Sequence, residues 1–198
     1  MERDCMRVDV MVDLETLGTN IDSTIIQISA IAFNIESKRQ YGLFDERVDI
    51  KGVSDLKIDG ETLLWWLNEN PSLLKKLLSD EGFPPEELLI KFHNWIAYLY
   101  YIFEASGKKV EIYLWGNGIL FDNKMIEYQM KKIGLDYPIF YRNDRDLRTI
   151  VDLTAKKLNV STSELKDSIE FSGEEHNAID DVEYQIKLLM FCYATLLK

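Results

Sequence analysis

Cysteine, proline and histidine are scarce in this chain of 198 residues, which holds two, four and two of them. Cys5 and Cys192 stand near opposite ends and form no close-spaced metal motif, so reduced and structurally incidental thiols are the expectation. The prolines and the ten glycines build no rich tract, and no repeat of solenoid period is present. No linker or boundary is therefore placed, and residues 1–198 are read as one domain. No apolar run approaches the roughly 20 residues of a membrane helix. The opening, Met1 to Val12, carries Glu2, Arg3, Asp4, Arg7 and Asp9, too many charges for the apolar segment of a signal peptide. A cytoplasmic protein with no membrane partner is expected.

Positive charge is also short, with 23 basic against 34 acidic residues and a formal net charge of −11. A protein that holds nucleic acid through a broad basic surface is thereby disfavoured, because such affinity comes from neutralising phosphates. An acidic chain and an anionic substrate remain compatible where divalent cations lie between them, and such cations require clustered carboxylates.

What is present is a change of period along the chain. Val8, Val10, Val12 and Leu14 alternate with Asp9, Met11, Asp13 and Glu15, which predicts a strand with one apolar face. Gly18-Thr19-Asn20 reads as a turn, Ile25 to Phe33 as a second strand and Tyr41 to Ile50 as a third, together an antiparallel meander. Helices are predicted over 62–67, 73–78 and 86–103, the last after Pro84-Pro85. Val110 to Trp115 is a fourth strand, ended by Gly116-Asn117-Gly118, and helices follow at 121–133, 145–158 and 177–197. The fold class is α/β with a mixed sheet, in which the fourth strand can pair in parallel with the first.

Asp13 and Glu15, two apart on a strand, leave the same face with Cα atoms about 6.6 Å apart, close enough to converge on one hard cation. A solvated acidic face is the plain alternative. Asp122 follows a strand and a glycine break at the start of a helix, where it is either a cap or a ligand near the sheet edge. Helical phase separates two neighbouring acids further on. Asp180 aligns with Glu183 and Lys187 on the polar stripe, whereas Asp181 aligns with Ala178, Gln185 and Leu188 and faces nearer the core. His176 lies just before that helix, as a cap or as a base beside a metal without being its ligand. The other histidine, His93, lies inside a helix with no acid motif near it.

Together these segments resemble the DEDDh group of DnaQ-like 3′–5′ exonucleases. Asp13-Leu14-Glu15-Thr16 looks like the first motif, Asn117-Gly118-Ile119-Leu120-Phe121-Asp122 is similar to the second, and His176-Asn177-Ala178-Ile179-Asp180-Asp181 matches the third. The stretch Val12 to Thr19, the pair Trp65-Trp66, and Asn143 to Thr149 look like the subgroup of phage exodeoxyribonuclease A and small bacterial 3′–5′ exoribonucleases. Leu17 stands where many members carry Thr or Gly.

The resemblance implies an RNase H-like fold and a single DEDDh exonuclease domain. It implies two-metal hydrolysis from a 3′ end of single-stranded or short nucleic acid, with release of nucleoside 5′-monophosphates. Asp13, Glu15, Asp122 and Asp181 would hold two Mg²⁺ or Mn²⁺ ions, and His176 would be the general base. Thr16, Leu17, Asn117, Trp65 and Trp66 would meet the substrate, with Leu17 as a wedge and a tryptophan stacking on a base. Arg145 and Arg148 face two alternatives, a substrate phosphate or pairing with Asp144, Asp146 or Asp152. A catalytically silent binding or scaffold protein of the same fold, or a phosphodiesterase or endonuclease, is the alternative reading. The sequence leaves DNA against RNA open, and the oligomeric state too, a homodimer included.

Overall fold

Why a long first strand forms is plain from Val8, Val10 and Val12, whose branched side chains suit a pleated surface. The computed structural model describes residues 5–79 and 81–197, so Glu2, Arg3 and Asp4 of the charged opening lie outside it. In it β1 (Cys5–Thr16) is followed by β2 (Ile25–Phe33) and β3 (Gln40–Arg47). Helices α1 (Gly60–Glu69), α2 (Pro71–Ser79) and α3 (Pro85–Glu104) come next, then β4 (Lys109–Gly116) and α4 (Asp122–Lys132). The chain ends with β5 (Asp144–Asp146), α5 (Leu147–Leu158), α6 (Thr162–Asp167) and α7 (Ala178–Leu196).

The sheet order is β3-β2-β1-β4-β5. β1, β2 and β3 form the expected antiparallel meander, and β4 runs parallel to β1 and to β5. Val8, Val10, Val12 and Leu14 face one core, closed by Trp66 of α1, Leu77 of α2, Phe92 of α3 and Ile126 of α4. Met11, Ile31, Phe33 and Trp115 face the other, closed by Val151 of α5, Leu165 of α6 and Leu189 of α7. Helices thus cover both sides of the sheet. Among the described residues, no helix is long and apolar enough to cross a membrane.

Three expectations need correction. β1 has two buried faces, since Asp9 and Met11 are as inaccessible as Val8. Asp9 tolerates this because Arg7 binds it at 2.8 Å and the Trp115 indole donates to it at 2.8 Å. The third strand stops at Arg47, because Asp49 caps a 3₁₀ turn over Ile50–Gly52. The helix expected from 145 starts at Leu147, since Asp144–Asp146 pair with Leu114–Gly116 and Asp146 caps α5 through Thr149 N–H. The short α6, opened by a Ser161–Glu164 capping box, has no counterpart among the expected helices. Cys5 is exposed, Cys192 is buried, and both are free.

Candidate metal centre

β1 outruns its parallel neighbour. Its pairing with β4 ends at Met11↔Trp115, while its pairing with β2 continues to Thr16↔Ile25. Asp13 and Glu15 therefore emerge beyond the carboxyl end of β4, on the face of the sheet covered by α7. Open sheets place ligands beyond the carboxyl ends of parallel strands.

α7 is brought to these carboxylates by a polar network. Gln27 on β2 donates to Asp45 at 2.7 Å and to the Asn177 side chain at 3.3 Å, and its carbonyl accepts from Ala178 N–H at 3.4 Å. Ser29 also donates to Asp45, at 2.7 Å, so β2 and β3 jointly fix the first turn of α7. One carboxylate oxygen each of Asp13, Glu15 and Asp181 then lies within 4.8 Å of the others. Gln185, one turn after Asp181, donates to Asp13 at 2.8 Å. Its contact is legible only in part beforehand: helical phase aligns it with Asp181 but does not show what it meets.

Asp122 stands just outside this trio, 3% exposed at the first position of α4. It gets there because β4 ends in Gly116, where a Cβ would stand 3.2 Å from the Asp122 carboxylate and collide with the Asn123 amide. Asn123 in turn donates to the Leu114 carbonyl at 3.1 Å and ties α4 to the strand.

His176 has a left-handed backbone, φ +67°, uncommon for a residue with a side chain. Two contacts hold it there. Its ring meets Trp65 edge to face at 4.7 Å, and Asp180 accepts from Glu174 N–H at 2.9 Å and from the Asn177 amide at 3.0 Å. Asp180 is thus half-buried and anchors the loop, where the helical phase placed it towards water. The loop folds back over the polar stripe, and only a glycine at 173 leaves room for the Asp180 side chain.

A cavity of about 470 Å³ opens beside Glu15, lined by Leu14, Thr16, Thr62, Trp65 and Phe121. Of the residues expected to meet substrate, Thr16 and Trp65 line it, Trp65 being 38% exposed. Trp66 forms its floor, 1% exposed, with its indole donating to the Thr16 carbonyl at 2.9 Å, so it offers no face to a base. Leu17, 2% exposed, is packed in the core. The order of residues alone does not separate Trp65 from Trp66 or show how deeply Leu17 packs, because burial is decided by how α1 and the turn after β1 lie on the sheet. Asn117 is half-buried in the loop before Asp122. Arg145 lies over the Tyr113 ring and donates to the Arg142 and Asp144 carbonyls, away from the site.

The four carboxyl groups are costly to ionise together. Burial, then repulsion by neighbouring acids, pushes Asp13 and Glu15 well above the usual carboxylate range. Burial raises Asp122 to about 7, against the pull of backbone groups and of Arg148, and raises Asp181 to about 6, against His176. A folded state that holds protons more tightly than the unfolded chain is stabilised at low pH. This contribution is complete below about pH 4, the unfolded carboxylate value, and is lost as pH rises through 6 to 7. In EDTA the melting temperature is therefore expected to fall between about pH 5 and pH 8, and Asp122→Asn to flatten that fall. An equally steep fall in the variant would detach Asp122 from the effect. Three mutually close oxygens in a site that disfavours their charge form a donor set suited to a hard divalent cation.

The family model described as the 3′–5′ exoribonuclease Rv2179c-like domain matches residues 8–193. An exodeoxyribonuclease of Enterobacteria phage T4 is 24% identical over 208 residues, covering 92% of this chain and 88% of the phage protein. Among solved structures, cell-death related nuclease 4 superposes with a TM-score of 0.69 at 16% identity, over 97% of this chain and 66% of that one. The nuclease domain of 3′hExo, a DEDDh family member bound to rAMP, gives 0.64 at 15% identity, over 98% and 93%. The fold is shared with these DEDDh-type nucleases, the RNase H-like arrangement expected from the sequence.

Proposed function

Because the chain belongs to the Rv2179c-like 3′–5′ exoribonuclease domain family, and is thus a 3′–5′ exonuclease, we propose that it works through two Mg²⁺ or Mn²⁺ ions. The substrate is the 3′ end of single-stranded or short DNA or RNA, and the products are nucleoside 5′-monophosphates. The observation that carries this reading is the convergence of Asp13, Glu15 and Asp181 within 4.8 Å, with Asp122 and His176 beside them.

Asp13, Glu15 and Asp181 would hold the cations, and Asp122 would support the second. When bound, the cations supply charge stabilisation to the attacking and leaving oxygens. Gln185 fixes the orientation of Asp13 by its hydrogen bond. His176, beside Asp181, takes the proton of the attacking water at a ring nitrogen. Trp65, packed on the His176 ring, limits its rotation and presents its exposed part to the terminal base, a contact worth about 1–3 kcal/mol. A net charge of −11 gives long nucleic acid no basic track, which favours short or single-stranded ends.

The test is digestion of single-stranded DNA and RNA, labelled at either end, with Mn²⁺ or with EDTA. A 5′ label is expected to give a ladder shortening from the 3′ end, a 3′ label to give mononucleotide from the first moments, and EDTA to stop both. Internal fragments without early 3′ mononucleotide would make the chain an endonuclease instead.

A further inference from the structure

Arg148 is the second residue of α5, exposed, and set against the loop that leads to Asp122. Its guanidinium lies over Gly118, where a Cβ would stand 3.1 Å from Cζ and 3.3 and 3.4 Å from the two terminal nitrogens. Gly118 has φ +125°, a backbone conformation that residues with a side chain rarely adopt.

The acids that the sequence offers as partners are engaged elsewhere. Asp144 accepts from Asn123 at 2.7 Å and from Tyr137 at 2.9 Å. Asp146 caps α5 through Thr149 N–H at 2.8 Å and accepts from Ile119 N–H at 3.2 Å. Asp152 binds Lys156 at 2.6 Å. Among the described residues Arg148 makes no hydrogen bond and no ion pair. A cation in the first turn of a helix also opposes the helix dipole, and within the chain Arg148 faces the charge of Asp122, on which it pulls without forming an ion pair.

The scissile group belongs at the trio Asp13, Glu15 and Asp181; Arg148 is not among those three, but lies against Gly118 on the loop before Asp122 and acts on the charge of Asp122. A planar guanidinium with free N–H groups matches two phosphate oxygens. Leu120 on the same loop, 86% exposed, adds an apolar surface.

We propose that Arg148 is a substrate-binding residue that grips a phosphodiester neighbouring the scissile one, over the glycine at 118. The proposal rests on the exonuclease reading. It makes the second phosphodiester of a substrate a recognition element, so that a strand with only one is held less well.

The experiment compares wild type, Arg148→Ala and Arg148→Lys on a dinucleotide without terminal phosphate and on tri- to hexanucleotides, in Mn²⁺. Arg148→Ala is expected to raise KM for the longer substrates by about 10- to 100-fold, the scale of a charged hydrogen-bonding group, with little change in kcat. KM for the dinucleotide should not change, and Lys should restore part of the loss. For the longer strands the slope of log KM against log salt should fall by about 0.7, one phosphate contact. The Mn²⁺-induced rise in melting temperature should be that of wild type, since no ligand has gone. Equal losses on dinucleotide and longer strands, no loss on any, or loss of the Mn²⁺ response would each overturn the proposal. Absence of hydrolysis by the wild type would overturn the exonuclease reading, and the proposal with it.

Discussion

Asp13→Asn is expected to lower hydrolysis by at least about two orders of magnitude and to remove the rise in melting temperature that Mn²⁺ or Mg²⁺ gives the wild type. Asp13 is the member of the trio held by Gln185, and its charge is opposed by burial and by Asp122 and Asp181. Asn keeps the shape and still accepts from the Gln185 amide, so the fold should survive. Removing one of several crowded carboxylates should even raise the melting temperature in EDTA above that of the wild type. The two effects of opposite sign, gain without metal and loss of the metal response, separate a ligand from a merely structural acid. A variant with an unchanged metal response would remove Asp13 from the centre.

His176→Ala should cost about 10²–10⁴-fold in rate, the contribution of a positioned base, while the metal-induced stabilisation stays. A residue acting only as a helix cap would instead cost about 1 kcal/mol of stability and leave turnover nearly intact. Its backbone complicates a simple reading, because φ +67° is strained for alanine. His176→Asn answers that, since Asn tolerates the left-handed region and removes the imidazole. Both variants should lose rate alike if the ring is the base. Near-normal turnover in His176→Asn at neutral pH would leave the reaction without a side-chain base at this position.

The legibility of the chain varies by element for physical reasons. β1, β2 and β4 can be read in advance because branched apolar residues at period two suit only a pleated surface. β5 cannot, because Asp144-Arg145-Asp146 has no apolar residue and becomes a strand by pairing with the end of β4. The convergence of Asp13, Glu15 and Asp181 follows from motif order, but the means of bringing α7 to β1, the Gln27–Asp45–Asn177 network, has no signature in spacing. Trp65 and Trp66 are adjacent and chemically identical, and only the packing of α1 decides that one is floor and the other rim. Asp180 is the instructive case: helical phase correctly puts Asp181 in the cluster, yet it says nothing of a loop that turns back onto the polar stripe.

The carboxylates come from opposite layers. Asp122 starts a helix that packs on one side of the sheet, Asp181 belongs to a helix on the other, and Asp13 lies on the strand between them. An occupied centre would act as a rivet through the sheet: lifting either helix end would forfeit binding energy held in common with the other. Opening events that are separate for α4 and α7 in the metal-free protein would become a single cooperative unit, and slow amide exchange would spread from one layer to both.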